Sequence, residues 1–221
     1  MQNSIKDKLV YAKERLLEIP CQTNQFGLPK RFKDKRLSNF TGFHTNVQVA
    51  QQTLLRGESL FLTGKCGTGK THLACGLMYE WFASKMKLGK EYYEESGEGE
   101  DRVIYGKQPI FLPSVDFFLE LKDSFNYKNI SEEDIINQYA NIDLLVIDDV
   151  GVEKVSDWSR QVFYTLIDRR YRNMTQTIIT SNLTLSELAD NIDDRIASRI
   201  VEMGEIINLG NRDYRIQGEN K

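Results

Sequence analysis

Short, uninterrupted apolar runs alternate with longer stretches of helical periodicity along this chain. Residues 60–62 (LFL) and 144–147 (LLVI) are wholly apolar, and residues 177–180 (TIIT) are wholly β-branched. Such runs are typical of parallel strands that are buried on both faces. A stretch with apolar positions at helical spacing follows each run, which indicates amphipathic helices. The pattern therefore predicts an α/β fold in which a parallel sheet is flanked by helices.

Several helices can be placed together with their caps and inward faces. We expect helices over residues 47–56, 115–125 and 156–172, and a further strand over 109–112. Ser131 and the Thr184/Glu187 pair are helix N-cap signals. The predicted core-facing positions are Val115, Phe118, Leu119 and Leu121 in the second helix, and Val162, Phe163, Leu166 and Ile167 in the third.

Two segments lie outside this alternation. Residues 4–19 predict a short amphipathic helix, because they carry an apolar stripe of Ile5, Leu9, Ala12, Leu16 and Ile19. The domain itself, a neighbouring copy or a partner protein would have to cover that stripe. The stretch 88–106 is acidic and is expected to form a surface loop or hairpin insertion. We therefore divide the chain into an N-terminal helical segment, 1–25, and one domain, 26–221.

Composition excludes several classes of protein. Hydrophobic residues make up 40% and charged residues 28%, as in ordinary globular proteins. The net charge of −3 does not indicate nucleic acid, although residues 1–40 are basic. No long uncharged apolar run and no signal-peptide core occur, so we expect a cytoplasmic protein without a membrane partner. Three cysteines without CxxC spacing argue against a zinc site or a disulfide framework.

Residues 64–71, GKCGTGKT, carry the clearest chemical signal. They match the P-loop pattern GxxxxGK[ST] between a predicted strand and a predicted helix. The glycines let backbone N–H groups point towards phosphate oxygens, and the helix N-terminus favours the same anion. Lys70 supplies a cation for the β- and γ-phosphates, and the Thr71 hydroxyl suits Mg²⁺. The stretch predicts that the chain binds a nucleoside triphosphate.

Polar side chains follow two of the predicted strands. Asp148 and Asp149 come directly after residues 144–147, at the strand end where parallel sheets bind ligands. Asp148 is a candidate Mg²⁺ ligand, and Asp149 is a candidate to orient or deprotonate an attacking water. Asn182 would lie beside them if the two strands are neighbours, and could hold that water or contact the γ-phosphate. The alternatives are an ordinary strand terminus for the aspartates and an ordinary turn residue for Asn182.

Arg195 and Arg199 lie four residues apart and share a face of a predicted helix. Two interpretations are open. The arginines could be offered to the nucleotide of a neighbouring subunit. They could equally form surface ion pairs with Asp193 or Asp194.

Four motifs occur in the order GKCGTGKTHLA, LLVIDDVG, IITSN and DRIASRI. Together they resemble the AAA+ ATPase domain of DnaC-type helicase loaders, a pattern that IstB-type transposition ATPases share. Residues 26–40 (FGLPKRFKDKRLSNF) and 169–182 (RRYRNMTQTIITSN) are also similar to that family. The resemblance covers residues 26–216. It implies an AAA+ P-loop NTPase with a five-stranded sheet in the order 5-1-4-3-2, ATP between adjacent subunits and, since few residues follow Ile200, no separate helical lid domain.

The resemblance also assigns roles to single residues. It implies nucleotide binding by Gly64, Lys65, Cys66, Gly67, Thr68, Gly69, Lys70, Thr71 and His72, with Arg215 as the sensor 2 arginine. It implies Mg²⁺ ligation by Thr71 and Asp148, and catalytic roles for Asp149, Asn182 and Arg199 as Walker B, sensor 1 and arginine-finger residues, with Arg195 in support. The chain departs from the family in having Asp149 where many AAA+ proteins have glutamate, a short N-terminal segment and an acidic insertion.

The function implied is ATP-dependent loading of a replicative hexameric DNA helicase in bacterial or phage replication. The expected partners are that helicase, docked by the N-terminal segment, single-stranded DNA, and further copies of the chain. Charge and base stacking suggest DNA contacts by Lys122, Phe125, Tyr127 and Lys128. The alternatives are an IstB-like transposition helper ATPase, a P-loop kinase for a small molecule, and an adaptor that binds nucleotide without hydrolysing it.

Overall fold

The computed structural model describes positions 10 and 13 and residues 25–42, 44–92, 99–104, 108–126, 130–151 and 156–215. The strands in these ranges are β1 (Ser59–Thr63), β2 (Lys87–Tyr92), β3 (Gly99–Ile104), β4 (Ile110–Pro113), β5 (Leu144–Val150), β6 (Gln176–Ser181) and β7 (Gly204–Asn208). The α-helices are α1 (His44–Leu55), α2 (Lys70–Lys85), α3 (Ser114–Ser124), α4 (Glu132–Ala140), α5 (Asp157–Arg172), α6 (Leu185–Asn191) and α7 (Asp194–Met203). Among the helices in these ranges, none is both long and apolar enough to cross a bilayer.

A five-stranded parallel sheet in the order β4-β5-β6-β1-β7 forms the centre of the domain. Numbered among themselves, these strands run 2-3-4-1-5, which is the predicted order 5-1-4-3-2 read from the opposite edge. The predicted fold class is therefore confirmed. Because β5 and β6 are neighbours, Asp148 and Asp149 near the end of β5 and Asn182 after β6 lie at the same carboxyl end of the sheet.

Alternate residues of the central strands enter two separate hydrophobic layers. Leu60 and Leu62 of β1 pack into the layer formed with α1 and α2, whereas Phe61 packs into the layer formed with α3, α4, α5 and α7. Leu144 and Leu145 of β5 divide between the two layers in the same way. Both faces of the sheet are thus covered, which explains why these runs contain no polar alternation.

Helix α3 turns a different face to the core from the one predicted. Val115 and Leu119 are 43% and 52% exposed, whereas Phe117, Phe118 and Leu121 are buried. Phe117 is the reason, because its ring packs edge-on against Tyr139 of α4 at 5.6 Å and draws its own side of the helix inward. The prediction was wrong for Val115 and Leu119, and it missed Phe117.

The predicted caps are present. The hydroxyl groups of Ser131 and Thr184 accept the backbone N–H groups of Asp134 and Glu187, each in a capping box. Ser156 caps α5 in the same way, and the four predicted core residues of that helix are buried. Each cap satisfies N–H groups that the helix itself leaves without partners.

Residues 26–40, called the lead-in below, precede α1 and lie against α2 and the edge of the sheet. Phe26 packs edge-on against Tyr79 and Phe82, with ring centroids 5.8 and 4.9 Å apart. Gly27 has a φ of +70°, and a Cβ there would lie 2.7 Å from the carbonyl oxygen of Phe111 in β4. Only glycine fits so close to that strand. The packed domain therefore includes the lead-in from Phe26 onwards.

Three predictions involve residues at the limits of the described ranges. The acidic stretch contains β2 and β3, which pair antiparallel and form a two-stranded sheet apart from the main one. The predicted helix over 4–19 lies outside the described residues apart from positions 10 and 13. The candidate DNA contacts Tyr127 and Lys128 also lie outside them.

Candidate functional site

The loop between β1 and α2 turns sharply around residues 64–71. Gly67 and Gly69 have φ values of +79° and +93°, a region that side chains other than glycine rarely adopt. Gly69 is the N-cap residue of α2, so the positive end of that helix opens into the loop. The Thr68 hydroxyl donates to the carbonyl oxygen of Lys65 at 2.9 Å and closes the loop on itself. The loop has the anion-binding form that its sequence predicts.

Lys70 is a buried cation whose donors all have neutral acceptors. Its Nζ donates to the carbonyl oxygens of Gly64 and Lys65 at 2.7 and 3.0 Å, and to Oδ1 of Asn182 at 2.7 Å. Burial lowers the pKa of Lys70 below its ordinary value. These neutral acceptors hold the Lys70 ammonium group in place without neutralising its charge. The charge therefore remains for a phosphate group, whose oxygen atoms could replace the neutral acceptors.

Thr71 and Asp148 bring oxygen atoms together at the end of β5. The Thr71 hydroxyl donates to Oδ1 of Asp148 at 3.0 Å, and the Thr180 hydroxyl donates to the same oxygen at 2.7 Å. Burial raises the pKa of Asp148 to about 6. Mg²⁺ prefers oxygen ligands, of which the protein usually supplies only a few. Phosphate oxygens and water molecules complete its coordination shell. The Thr71 and Asp148 pair fits that requirement.

Asp149 sits at an irregularity in the sheet. The pairing of β5 with β6 shifts register between Ile147 and Val150, and Asp149 has a φ of +57°. Its N–H donates to the Thr180 hydroxyl at 2.9 Å, and its carbonyl oxygen accepts from the Ser114 hydroxyl at 3.0 Å. Both backbone groups are thereby held, and the side chain remains exposed at the cleft. Strained backbone of this kind recurs at functional sites.

Lys70, Thr71, Asp149 and Asn182 line one cleft, which encloses about 520 Å³. Asp148 does not line it, because its side chain is buried and is hydrogen-bonded to Thr71. The predicted site residues that line it are Cys66, Gly67, Gly69, Lys70, Thr71, His72, Asp149, Asn182 and Arg215. Gly64, Lys65 and Thr68 belong to the loop and contact Lys70 or each other rather than the cleft. His72 is tied to the lead-in, with Nε2 2.7 Å from Oδ1 of Asn39, and burial lowers its pKa.

Four further residues line the cleft, and the sequence reasoning did not place them there: Arg31, Phe32, Lys35 and Tyr214. The basic composition of the lead-in was the available signal for Arg31 and Lys35. Composition does not say which surface a basic segment covers, so the signal was insufficient.

The segment after β7 folds back over the phosphate loop. Leu209 N–H donates to the carbonyl oxygen of Thr63 at 2.8 Å, and Tyr214 N–H donates to that of Gly67 at 3.0 Å. A Cβ on Gly67 would lie 1.9 Å from the carboxylate of Asp213, so the two segments are in close contact. This packing brings Arg215, near the end of the described residues, to the cleft beside the phosphate loop.

Arg195 and Arg199 do not line the cleft of their own chain. Arg195 Nη2 pairs with Asp193 at 2.8 Å, as the ion-pair interpretation predicts. Arg199 Nε pairs instead with Asp168 of α5 at 2.6 Å. Both lie on α7, and neither belongs to the residues around Lys70.

A second surface contains two of the candidate DNA contacts. Phe125 is 66% exposed, and its ring lies 5.9 Å from that of Trp158 at the start of α5. Lys122 Nζ lies 5.9 Å above the Trp158 ring. Trp158 was not predicted at this surface, because it is 33 positions from Phe125 in the chain.

Comparison with known proteins identifies a family. The sequence model of the family described as IstB-like ATP binding protein matches residues 99–221. The replicative helicase loader DnaC of Escherichia coli (strain K12) is 28% identical over 142 residues, which are 64% of this chain and 49% of that protein. The chain spans about half the length of the DnaC relatives that it matches.

Solved structures share the fold. The crystal structure of the DnaC helicase loader superposes with a TM-score of 0.63 at 24% identity, over 81% of this chain and 99% of that one. AMPPCP-bound DnaA from Aquifex aeolicus superposes with a TM-score of 0.60 at 24% identity, over 79% of this chain and 49% of that one. At these identities the likeness shows the AAA+ P-loop fold alone.

Proposed function

Because this chain belongs to the family of IstB-like ATP-binding proteins, we propose that it is an ATP-dependent loader of a replicative DNA helicase. It would act in the cytoplasm, in bacterial or phage DNA replication. The similarity to DnaC loaders supports the partner. The observation that carries the proposal is the cleft in which Lys70, Thr71 and Asn182 meet Asp149, with Asp148 hydrogen-bonded to Thr71.

The residues of the cleft divide the work of ATP hydrolysis. Lys70 would bind the β- and γ-phosphates, moving from its carbonyl acceptors to phosphate oxygens. Thr71 and Asp148 would hold Mg²⁺, which supplies charge neutralisation for the phosphates when it is bound. Asp149 would orient the attacking water and accept its proton, and Asn182 would hold that water or a γ-phosphate oxygen. Arg215 would contact the nucleotide from the C-terminal segment.

Further copies of the chain would complete the site. Arg199 lies outside the cleft of its own chain, so its proposed role is to reach the γ-phosphate bound by a neighbour. The nucleotide would then act as a switch for assembly, because ATP between two subunits contacts both of them. Hydrolysis would weaken that contact and permit release of the helicase.

Single-stranded DNA would bind at the surface of Lys122, Phe125 and Trp158. The exposed ring of Phe125 offers a base a stacking face, Trp158 lies beside it, and Lys122 adds a positive charge for the backbone. Stacking is worth about 1–3 kcal/mol per base. We expect Phe125→Ala to weaken binding of an oligothymidine at least tenfold by fluorescence anisotropy, a loss of about 1.4 kcal/mol. Leu55→Ala, another exposed apolar residue, should change it less than twofold.

Loading is tested with the purified chain, the replicative helicase of its source cell and circular single-stranded DNA. The expected result is ATP-dependent transfer of the helicase to the DNA, measured as unwinding of an annealed strand. Lys70→Ala should abolish ATP binding and transfer. Lys85→Ala, which removes an exposed lysine at the opposite end of α2, should preserve both. Tight ATP binding with no helicase bound or transferred would refute the loader function.

An IstB-like transposition helper is the second candidate, and the family match favours it. Such a protein would bind a transposase and favour duplex DNA. Capture on the immobilised chain with ATP, followed by identification of the retained protein, separates the two functions. Stimulation of ATP turnover by duplex rather than single-stranded DNA would favour the transposition role.

A further inference from the structure

Arg199 is held in one orientation by two residues of α5. Its Nε donates to Oδ1 of Asp168 at 2.6 Å, and its Nη2 donates to the Tyr164 hydroxyl at 3.0 Å. Both contacts use the same edge of the planar guanidinium group. Two hydrogen bonds along one edge of a planar group fix its direction as well as its position.

Three donors of Arg199 take no part in these two contacts. A guanidinium group has five N–H donors, and Asp168 and Tyr164 engage two of them. Within the described part of the chain, Nη1 of Arg199 has no hydrogen-bond partner. An arginine fastened along one edge can still make paired hydrogen bonds to a phosphate with the rest of its donors.

Asp168 is itself well fixed. Its side chain is only 15% exposed, and its second oxygen pairs with Arg172 Nε at 2.9 Å, one turn further along α5. The Tyr164 ring lies near two guanidinium groups, with that of Arg195 at 4.3 Å and that of Arg199 at 5.1 Å from its centroid. Asp168 thus contacts both Arg199 and Arg172, and the Tyr171 ring also lies 5.4 Å from the Arg199 guanidinium group.

We propose that Asp168 is a positioning residue, which together with Tyr164 orients Arg199 towards the polyphosphate bound by a second copy of the chain. The proposal rests on the proposed function, because it needs a nucleotide at a subunit contact. Asp168 contacts neither the nucleotide nor the cleft. It acts by keeping a long, flexible side chain in one conformation before the neighbour arrives, which lowers the entropy lost on contact.

The same contact has an opposite interpretation, in which Asp168 sequesters Arg199 until assembly. The two interpretations predict opposite changes in turnover. Loss of a positioning carboxylate slows hydrolysis in the assembled state, whereas loss of a sequestering one accelerates it. The pair between Arg172 and Asp168 favours positioning. Because Asp168 shares its charge between two arginines, it holds Arg199 less tightly than an exclusive ion pair would.

The experiment measures ATP turnover of the full chain at saturating single-stranded DNA, with ATP affinity measured separately. We expect Arg199→Ala to lower turnover about 1,000-fold, the usual contribution of an arginine finger. Asp168→Ala and Asp168→Asn should lower it about tenfold with ATP affinity changed less than twofold, because Arg199 remains but is no longer fixed. Glu202→Gln, which removes a carboxylate from the Tyr171 hydroxyl on the same surface, should leave turnover unchanged.

Mixing subunits distinguishes action on a neighbour from damage to the chain itself. Asp168→Ala subunits have an intact phosphate loop, and Lys70→Ala subunits have an intact Arg199 and Asp168. Each is slow alone, and their mixture should recover turnover several-fold, because one supplies the loop and the other the positioned arginine.

Three outcomes would overturn the proposal: unchanged or faster turnover in Asp168→Ala, lost ATP affinity in Asp168→Asn, or no recovery on mixing. Normal turnover in Arg199→Ala would instead refute the role of that arginine in the proposed function.

Discussion

At the scale of single residues, the charged groups of the site are held by neutral hydrogen-bond partners rather than by opposite charges. Lys70 donates to two carbonyl oxygens and an amide, and Asp148 accepts from two hydroxyl groups. A direct Lys70–Asp148 ion pair would have to be broken before a phosphate or a metal ion could bind. Dipolar partners orient the same groups and are displaced at lower cost.

Asn182 gives a prediction at this scale. Asn182→Ala should leave ATP affinity within about threefold, because Lys70 keeps its two carbonyl acceptors, but should lower turnover about 100-fold by removing a polar group near the γ-phosphate. Single-turnover hydrolysis with radiolabelled ATP measures both quantities. Asn173→Ala, an exposed asparagine at the end of α5, is the matched control and should behave as the parent. Lost ATP affinity with unchanged turnover at saturating ATP would show that Asn182 serves binding alone.

At the scale of secondary-structure elements, a buried arginine joins α4, α5 and β6. Arg170 is fully buried, and its Nε donates to the Thr177 hydroxyl at 2.8 Å. Its Nη1 donates to the carbonyl oxygens of Tyr139 and Ile142 at 2.6 and 2.9 Å, and its Nη2 to that of Gln176. Burial lowers the pKa of Arg170 to about 9, so the group stays charged at neutral pH.

Neighbouring arginines should therefore differ sharply in their effect on stability. Arg170→Ala should lower the free energy of unfolding by about 3–5 kcal/mol, because it leaves a cavity and several buried carbonyl groups without donors. Arg169→Ala removes a surface pair with Glu133 and should cost about 1 kcal/mol or less. Urea denaturation followed by circular dichroism measures the difference. Similar midpoints for the two variants would contradict this account of Arg170.

At the scale of the whole molecule, the packed domain is closed by segments from its two ends. The lead-in packs on α2 and contributes Arg31, Phe32 and Lys35 to the cleft, and the segment after β7 contributes Tyr214 and Arg215. Both ends of the described domain thereby line the candidate nucleotide cleft, and the lead-in follows directly on the N-terminal segment proposed to bind the helicase.

Deletion of residues 1–19 tests that arrangement. The shortened chain should retain ATP affinity within about twofold, because the described residues that line the cleft begin at Arg31. It should lose helicase binding in a pull-down. Lys122→Ala provides the reciprocal control, with weaker DNA binding and normal helicase binding. Unchanged helicase capture by the shortened chain would place the docking surface elsewhere.

Much of the fold and of the site could be predicted from local signals. Strands β1, β5 and β6 were evident from short apolar runs, and the predicted caps from serine or threonine beside acidic residues. The inward face of α3 could not be predicted from the sequence, because Val115 and Leu119 fit the helical period as well as Phe117 does. The deciding contact is with Tyr139, on another helix.

The sequence by itself determined where the glycine-rich loop and the helix caps would lie and in what order the strands and helices would follow. Backbone turns, helix caps and buried strands depend on neighbours a few positions away, so a linear pattern contains them. Only the tertiary structure decided that Arg31 and Tyr214 share one cleft, that Arg170 is buried while Arg169 is not, and that Asp168 holds Arg199. Those relations depend on packing between segments that are distant in the chain. A periodic pattern can leave two faces of a helix equivalent, and side-chain shape and the direction of each element decide which face packs inward.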